Sequence, residues 1–180
     1  MLLFWEKGLA ATSLDDLAIA MQMNRPSIYN AFGNKEAIYR AALARFCGQL
    51  DGAVEGVLEA TADIKAGLIE FYDQAIEVYC GDAAHLGCLM VCTAPAEAMS
   101  HPEVAEDLRH LITRLDEGLA KRVNRAKAEG QVSHELSAQH TAQMLQATLQ
   151  TIALRARAGT PKRSLKKLAR FAVETLLQDM

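Results

Sequence analysis

Between residues 13 and 36 the segment SLDDLAIAMQMNRPSIYNAFGNKE starts three helices and ends two. Ser13 is a favoured N-cap, and Asp16, three positions on, completes a capping box. Asn24 is the next cap. Pro26 follows it in the first turn, the one place in a helix where a missing backbone N–H costs nothing. Gly33 permits a left-handed stop, and Asn34 caps the next helix from Lys35. The middle helix is thus held to about eight residues. A chain punctuated in this way must fold locally as short rods braced by their neighbours, neither a long helix nor a strand.

The side chains in the middle rod are unusual for core filler. Ile28, Tyr29 and Phe32 supply apolar packing, and Leu14, Leu17, Ala18 and Met21 form the stripe of the rod before it. Arg25, Ser27 and Asn30 crowd the polar side. A helix of about eight residues, a tight turn and a second short helix is a helix-turn-helix, which pushes the start of its second helix into a DNA major groove. Arg25 suits a guanine edge or a phosphate; Ser27 and Asn30 suit bases or backbone; the Tyr29 hydroxyl suits a phosphate. Pro26 lies at the same leading edge. Backbone N–H groups near Thr12 and Ser13, and near Asn34 and Lys35, are placed to receive phosphates, with the Lys35 charge beside them. Phe32, Ile28 and Leu17 are expected in the core.

The stretch ATSLDDLAIAMQMNRPSIYNAFGNKEAIYRAAL resembles the DNA-binding domain of the TetR family of bacterial transcriptional regulators. Thr12, Ser13, Leu17, Ala18, Asn24, Ser27, Ile28, Tyr29, Phe32, Lys35 and Glu36 fall in the family's register, and the match covers about the first 46 residues. Two departures stand out. Gln22 occupies the turn position where the family usually has Gly, which implies a strained left-handed residue costing about 1 kcal/mol. The chain also opens inside the family's first helix, so further residues are expected to precede it. Residues 1–46 carry five Lys and Arg against four Asp and Glu, a head only slightly basic. The resemblance implies a DNA-binding domain over 1–46 and an effector-binding and dimerisation domain over 47–180. It further implies a homodimer on a double-stranded operator, a small-molecule effector, and repression released by that effector.

The rest of the sequence reads as helix throughout. Segments at roughly 62–80, 87–99, 103–129, 137–158 and 164–178 lie between Gly81, Pro102, Gly130 and Gly159–Pro161, with Thr160 and Ser164 as candidate caps. No period-2 alternation appears, so the expected class is all-α: a helix-turn-helix head and a larger bundle dimerising through its last two helices. No apolar run is long enough to span a membrane, and no basic leader precedes the first apolar patch, so a cytoplasmic protein with reduced cysteines is expected. Catalytic orderings, phosphate loops and cofactor fingerprints are missing from the sequence, so neither an enzyme nor a cofactor is expected.

A half-site reader gains from a tethered twin about 34 Å away. The apolar stripes Leu145, Thr148, Leu149 and Ile152, and Leu168, Phe171, Thr175 and Leu176, are the expected dimer interface. Phe71, Cys88, Met90, Cys92, Met99, His110, Leu111 and Met144 are candidates for lining an effector pocket. The alternative reading is a metal- or thiol-sensing or storage bundle: His85, Cys88 and Cys92 share one face if the segment is helical. Pro95 should kink that helix. A basic run from Arg155 to Arg170 reads as a solvated rim, with a second nucleic-acid site as the rival.

Overall fold

The computed structural model describes residues 1–81 and 85–178, with side chains omitted at 50–55 and 57. Four helices build the head and lead out of it: α1 (Leu2–Lys7), α2 (Leu14–Met21), α3 (Arg25–Phe32) and α4 (Lys35–Ala60). Their boundaries follow from side chains a few residues away. Ser13 accepts from the Asp16 amide, and the Asp16 carboxylate takes the Ser13 amide in return, closing the capping box. The Asn24 side chain accepts from the Ser27 amide at 2.9 Å, and Asn34 from the Ala37 amide at 2.7 Å. Gln22 does adopt the left-handed conformation, at φ 53° and ψ 39°. Leu17 and Ile28 are buried. Phe32 is not core: it is 37% exposed, because α3 touches the rest of the head through Ile28 alone among its buried residues.

The body consists of α5 (Ile64–Cys80), α6 (Leu89–Glu97), α7 (Pro102–Ala128), α8 (Ala138–Arg157) and α9 (Lys162–Leu176). Among the described residues there is no strand, and no helix is long and apolar enough to cross a membrane. Helix α5 is the central rod. Leu68, Phe71, Tyr72, Ala75, Ile76 and Tyr79 are all buried, and the helix lies against α4, α8 and α9. The Tyr72 hydroxyl donates to the Leu145 carbonyl of α8 at 2.7 Å. Asp63 and Ser137 cap α5 and α8 through their side chains. Helix α9 differs from expectation: it follows Pro161 without a side-chain cap, so neither Thr160 nor Ser164 serves. In the basic run Arg155, Arg163, Lys167 and Arg170 are exposed, as a solvated rim requires, and part of the run is paired with α5. Lys162 and Lys166 reach Glu77 at 2.7 and 3.0 Å, and Arg170 approaches Asp73 at 3.9 Å, clamping α9 to α5.

Head and body share a dense seam. Helix α4 runs unbroken past residue 46 and belongs to both. Phe4 meets Tyr39 edge-on at 5.3 Å, and Trp5 meets Phe46 at 4.8 Å. Tyr39 hydrogen-bonds Thr93 of α6 at 2.7 Å, and the Glu97 carboxylate accepts from the Ala10 amide at 3.1 Å. The Trp5 indole donates to the carbonyls of Gly87 and Leu86. From the end of α8, the Arg157 guanidinium donates to the carbonyls of Trp5, Glu6 and Leu86. The loop before α6, helix α1 and the C-terminus of α8 are therefore tied at one point.

Candidate nucleic-acid interface and effector site

Helix α3 presents Arg25, Pro26, Tyr29, Asn30 and Ala31 to solvent, with Ser27 half-buried behind them. Tyr29 is 47% exposed. This is the surface a groove-reading helix needs, since a buried leading edge reaches no base. The Arg25 guanidinium is already engaged. Its Nε donates to Asp15 Oδ1 at 2.8 Å and its Nη2 to Asp15 Oδ2 at 2.5 Å, and the carboxylate raises the Arg25 pKa. Ser13 remains exposed, but both its amide and its hydroxyl are held by Asp16. The hydrogen bond from the Ser13 amide holds the Asp16 carboxyl below the usual carboxylate range, and Lys7 adds to this at 3.3 Å.

Two expected contacts are placed otherwise. Thr12 is 1% exposed and its hydroxyl donates to the Gly8 carbonyl at 2.6 Å, so it fixes the α1–α2 turn from inside. Lys35 folds back, donating to the Thr12 carbonyl at 2.9 Å. Arg40, in the same part of the chain, is spent on Asp107 at 2.6 Å and Glu103 at 3.3 Å.

The body holds an apolar recess between α5, α6, α7 and α8. Phe71, Ala75, Tyr79, Cys88, Val91, Leu108, Leu111, Ile112, Leu115, Gln146, Leu149 and Gln150 line it. Of the expected pocket residues it contains Phe71, Cys88 and Leu111. Met90 and His110 belong to a separate open groove between α4 and α7. Met99 is 92% exposed and Met144 54% exposed, both outside. The Cys92 sulfur lies against the Ala153 carbonyl of α8, at 3.9 Å, and does not reach the recess wall. Ala75, Tyr79, Val91, Leu108, Ile112, Leu115, Gln146 and Gln150 were not expected there, and Leu149 was expected at the dimer interface instead. On α7 the spacing 108, 111, 112, 115 is that of any buried stripe, so no local signal separates a pocket wall from core.

Among the described residues that line the recess, none is ionised. Burial pushes the Tyr79 phenol well above its usual pKa and the Cys88 thiol up to about 12, so both are neutral near pH 7. Its polar fittings are amides: Gln146 donates to the Ile112 carbonyl at 2.8 Å, and Gln150 approaches Gln146 at 3.4 Å. The free space as packed is only about 40 Å³. The metal reading fails on geometry. Helix α6 starts at Leu89, so Cys88 is its extended N-cap residue and His85 lies in the loop before it. The three residues do not share a helical face, and among the described residues no group of three or more His, Cys, Asp or Glu could hold a metal.

The expected dimer residues divide. Leu145, Leu149 and Ile152 are buried inside the protomer, and Leu149 lines the recess. Thr148, Leu168 and Leu176 are half-buried, and Thr175 is exposed. Phe171, at 67% exposure, and Met144 and Leu154, each at 54%, are large apolar groups left on the outer faces of α8 and α9.

A head of three short rods, an exposed polar α3 and an all-helical body with an internal apolar recess define a transcription factor of the helix-turn-helix class. Comparison with known proteins gives the same answer. Residues 1–42 match the family described as "Bacterial regulatory proteins, tetR family", and residues 65–172 match "Tetracyclin repressor-like, C-terminal domain". The HTH-type transcriptional repressor ComR of Escherichia coli (strain K12) is 27% identical over 177 residues, covering 98% of this chain and 83% of that protein. A cysteine mutant of the TetR family transcriptional regulator CifR, complexed with 26 bp double-strand operator DNA, superposes with a TM-score of 0.85. It is 26% identical, over 96% of this chain and 90% of that one. Reduced NemR of E. coli shares the fold, with a TM-score of 0.84 at 18% identity over 98% of this chain and 92% of its own. The chain belongs to the TetR family and is a ligand-responsive, DNA-binding transcriptional regulator.

Proposed function

We propose that two copies of this chain grip a twofold operator with their α3 helices, and that a neutral, mainly apolar effector releases them. The observation that carries the first half is the exposure of α3, whose only buried side chain is Ile28. Arg25, Ser27, Tyr29 and Asn30 then meet the groove, while the N-terminal end of α4 receives a phosphate. The unpartnered apolar groups Met144, Leu154 and Phe171 support α8 and α9 as the dimer surface, with Thr148, Leu168 and Thr175 between them. In vitro selection from random duplex DNA tests this. The expected product is a palindrome, and Tyr29→Phe should weaken every bound sequence alike by a few-fold, as loss of a phosphate contact does. Selection of no sequence at all would refute the reading.

The effector half rests on recess chemistry. A charged group buried without a partner is costly, and none of the described lining residues is ionised to pair with one. A drug-sized ligand needs a pocket of about 300–1,000 Å³. The 40 Å³ present means that binding must part α7 from α5 and α8. Helix α8 ends in Arg157, which holds the head through α1. A ligand that favours the parted state therefore draws population from the arrangement that fits DNA. The test compares 1-hexanol, hexanoate and hexylammonium. The alcohol should raise the unfolding midpoint and loosen the operator complex, and the two ions should do neither. A larger effect from either ion would refute the neutral assignment.

A further inference from the structure

We infer that Asp15 is a specificity-determining residue: it presets the Arg25 guanidinium so that its free edge reads a guanine. This rests on the proposal that α3 reads the major groove. The motivating oddity is an acid on a DNA-facing surface, where it repels phosphates. Asp16, beside it, is accounted for by the capping box and Lys7. Asp15 takes no part in the cap. Its two oxygens take Nε and Nη2 of Arg25 in a fork, at 2.8 and 2.5 Å.

A guanidinium has five N–H donors in a fixed plane. Asp15 engages the side edge, formed by Nε and one hydrogen of Nη2. The end edge, formed by Nη1 and the second Nη2 hydrogen, stays free. That edge still offers the two parallel N–H donors that a bidentate contact with O6 and N7 of guanine requires. Arg25 sits at the first position of α3, at the end that enters the groove. Held from α2, the long side chain surrenders its rotamer freedom before DNA arrives, so less is lost on binding. The same carboxylate repels phosphates, so an arginine resting on the backbone is disfavoured. Asp15 thus lowers affinity for all DNA while sharpening choice at one base pair.

The experiment determines a selected operator with the intact protein, then measures affinity for it, for single-base variants and for random duplex. Wild type should show one guanine per half-site whose replacement by adenine costs at least tenfold. Asp15→Asn and Asp15→Ala should bind random duplex at least twofold more tightly, while discrimination at that guanine falls to threefold or less. Arg25→Lys should keep affinity for random duplex and lose the discrimination. If Asp15 merely staples α2 to α3, its variants will weaken all sequences equally with the guanine preference intact, which overturns the inference. If Arg25→Ala retains the preference while operator binding persists, the placement of Arg25 on the base is wrong, and that failure is separable from the role of Asp15. Thermal unfolding of each variant confirms that the exposed substitutions leave the fold in place.

Discussion

Gly87 shows how much one missing methyl can decide. Its φ is +69°, and a Cβ there would lie 2.4 Å from the Ala153 carbonyl and 2.8 Å from the Cys92 sulfur. The first contact is backbone and cannot yield cheaply. Gly87→Ala should cost roughly 2–4 kcal/mol in urea unfolding, through overpacking and backbone strain together. Gln22 is the opposite case. Its left-handed backbone costs about 1 kcal/mol, part of which Gly would return in unfolded-state entropy. Gln22→Gly should therefore raise stability by about 0.5 kcal/mol, read by the same method. The strain at Gln22 was foreseeable from the family resemblance, which puts Gly at that turn position. The crowding at Gly87 was not, because its neighbour Ala153 is far along the chain. Cys88 makes a prediction about pH. Its folded pKa is raised, so its contribution to stability is complete below the ordinary thiol pKa and falls as pH climbs toward about 12. At pH 7–8 iodoacetamide should label it only at the rate at which the protein opens.

Among the elements, α8 explains the division of the expected dimer residues. Both of its long faces are apolar. The face with Leu145, Leu149 and Ile152 turns inward, and the face with Met144, Thr148 and Leu154 turns out. A period of 3.6 identifies stripes but does not say which stripe is taken by the same chain. Phe171→Glu, on α9, should shift the dimer toward monomer and weaken operator binding at least tenfold, with the protomer's helix content unchanged; sedimentation and circular dichroism check both parts. Helix α6 shows another limit. Its start at Leu89 moved Cys88 and His85 off the helix, and a three-residue pattern that depended on them dissolved. Boundaries set by side-chain caps were legible; this one has no side-chain cap, and the sequence did not mark it.

Across the fold, Arg157 joins parts that no local pattern connects. It is 152 residues from Trp5, yet donates to the Trp5 carbonyl at 2.8 Å. Arg157→Gln should leave α5 protected from hydrogen exchange but speed exchange in α1 at least tenfold, because three carbonyl partners lose their shared donor. Unchanged exchange in α1 would remove Arg157 from the proposed coupling of recess to head. The recess depends on the same long reach, with walls drawn from Phe71 to Gln150.

The order of short rods in the head was fixed by chemistry within three or four residues: a hydroxyl on an amide, a proline in a first turn, a glycine where a methyl would strain. Such interactions are the same in any surroundings, so they can be read before folding. Which apolar face meets a partner, which cysteine borders the recess, and which arginine is spent on an acid depend on surfaces that approach only when distant helices pack. Those choices belong to the tertiary structure, since the competing placements are equivalent along the chain and differ only in what stands opposite.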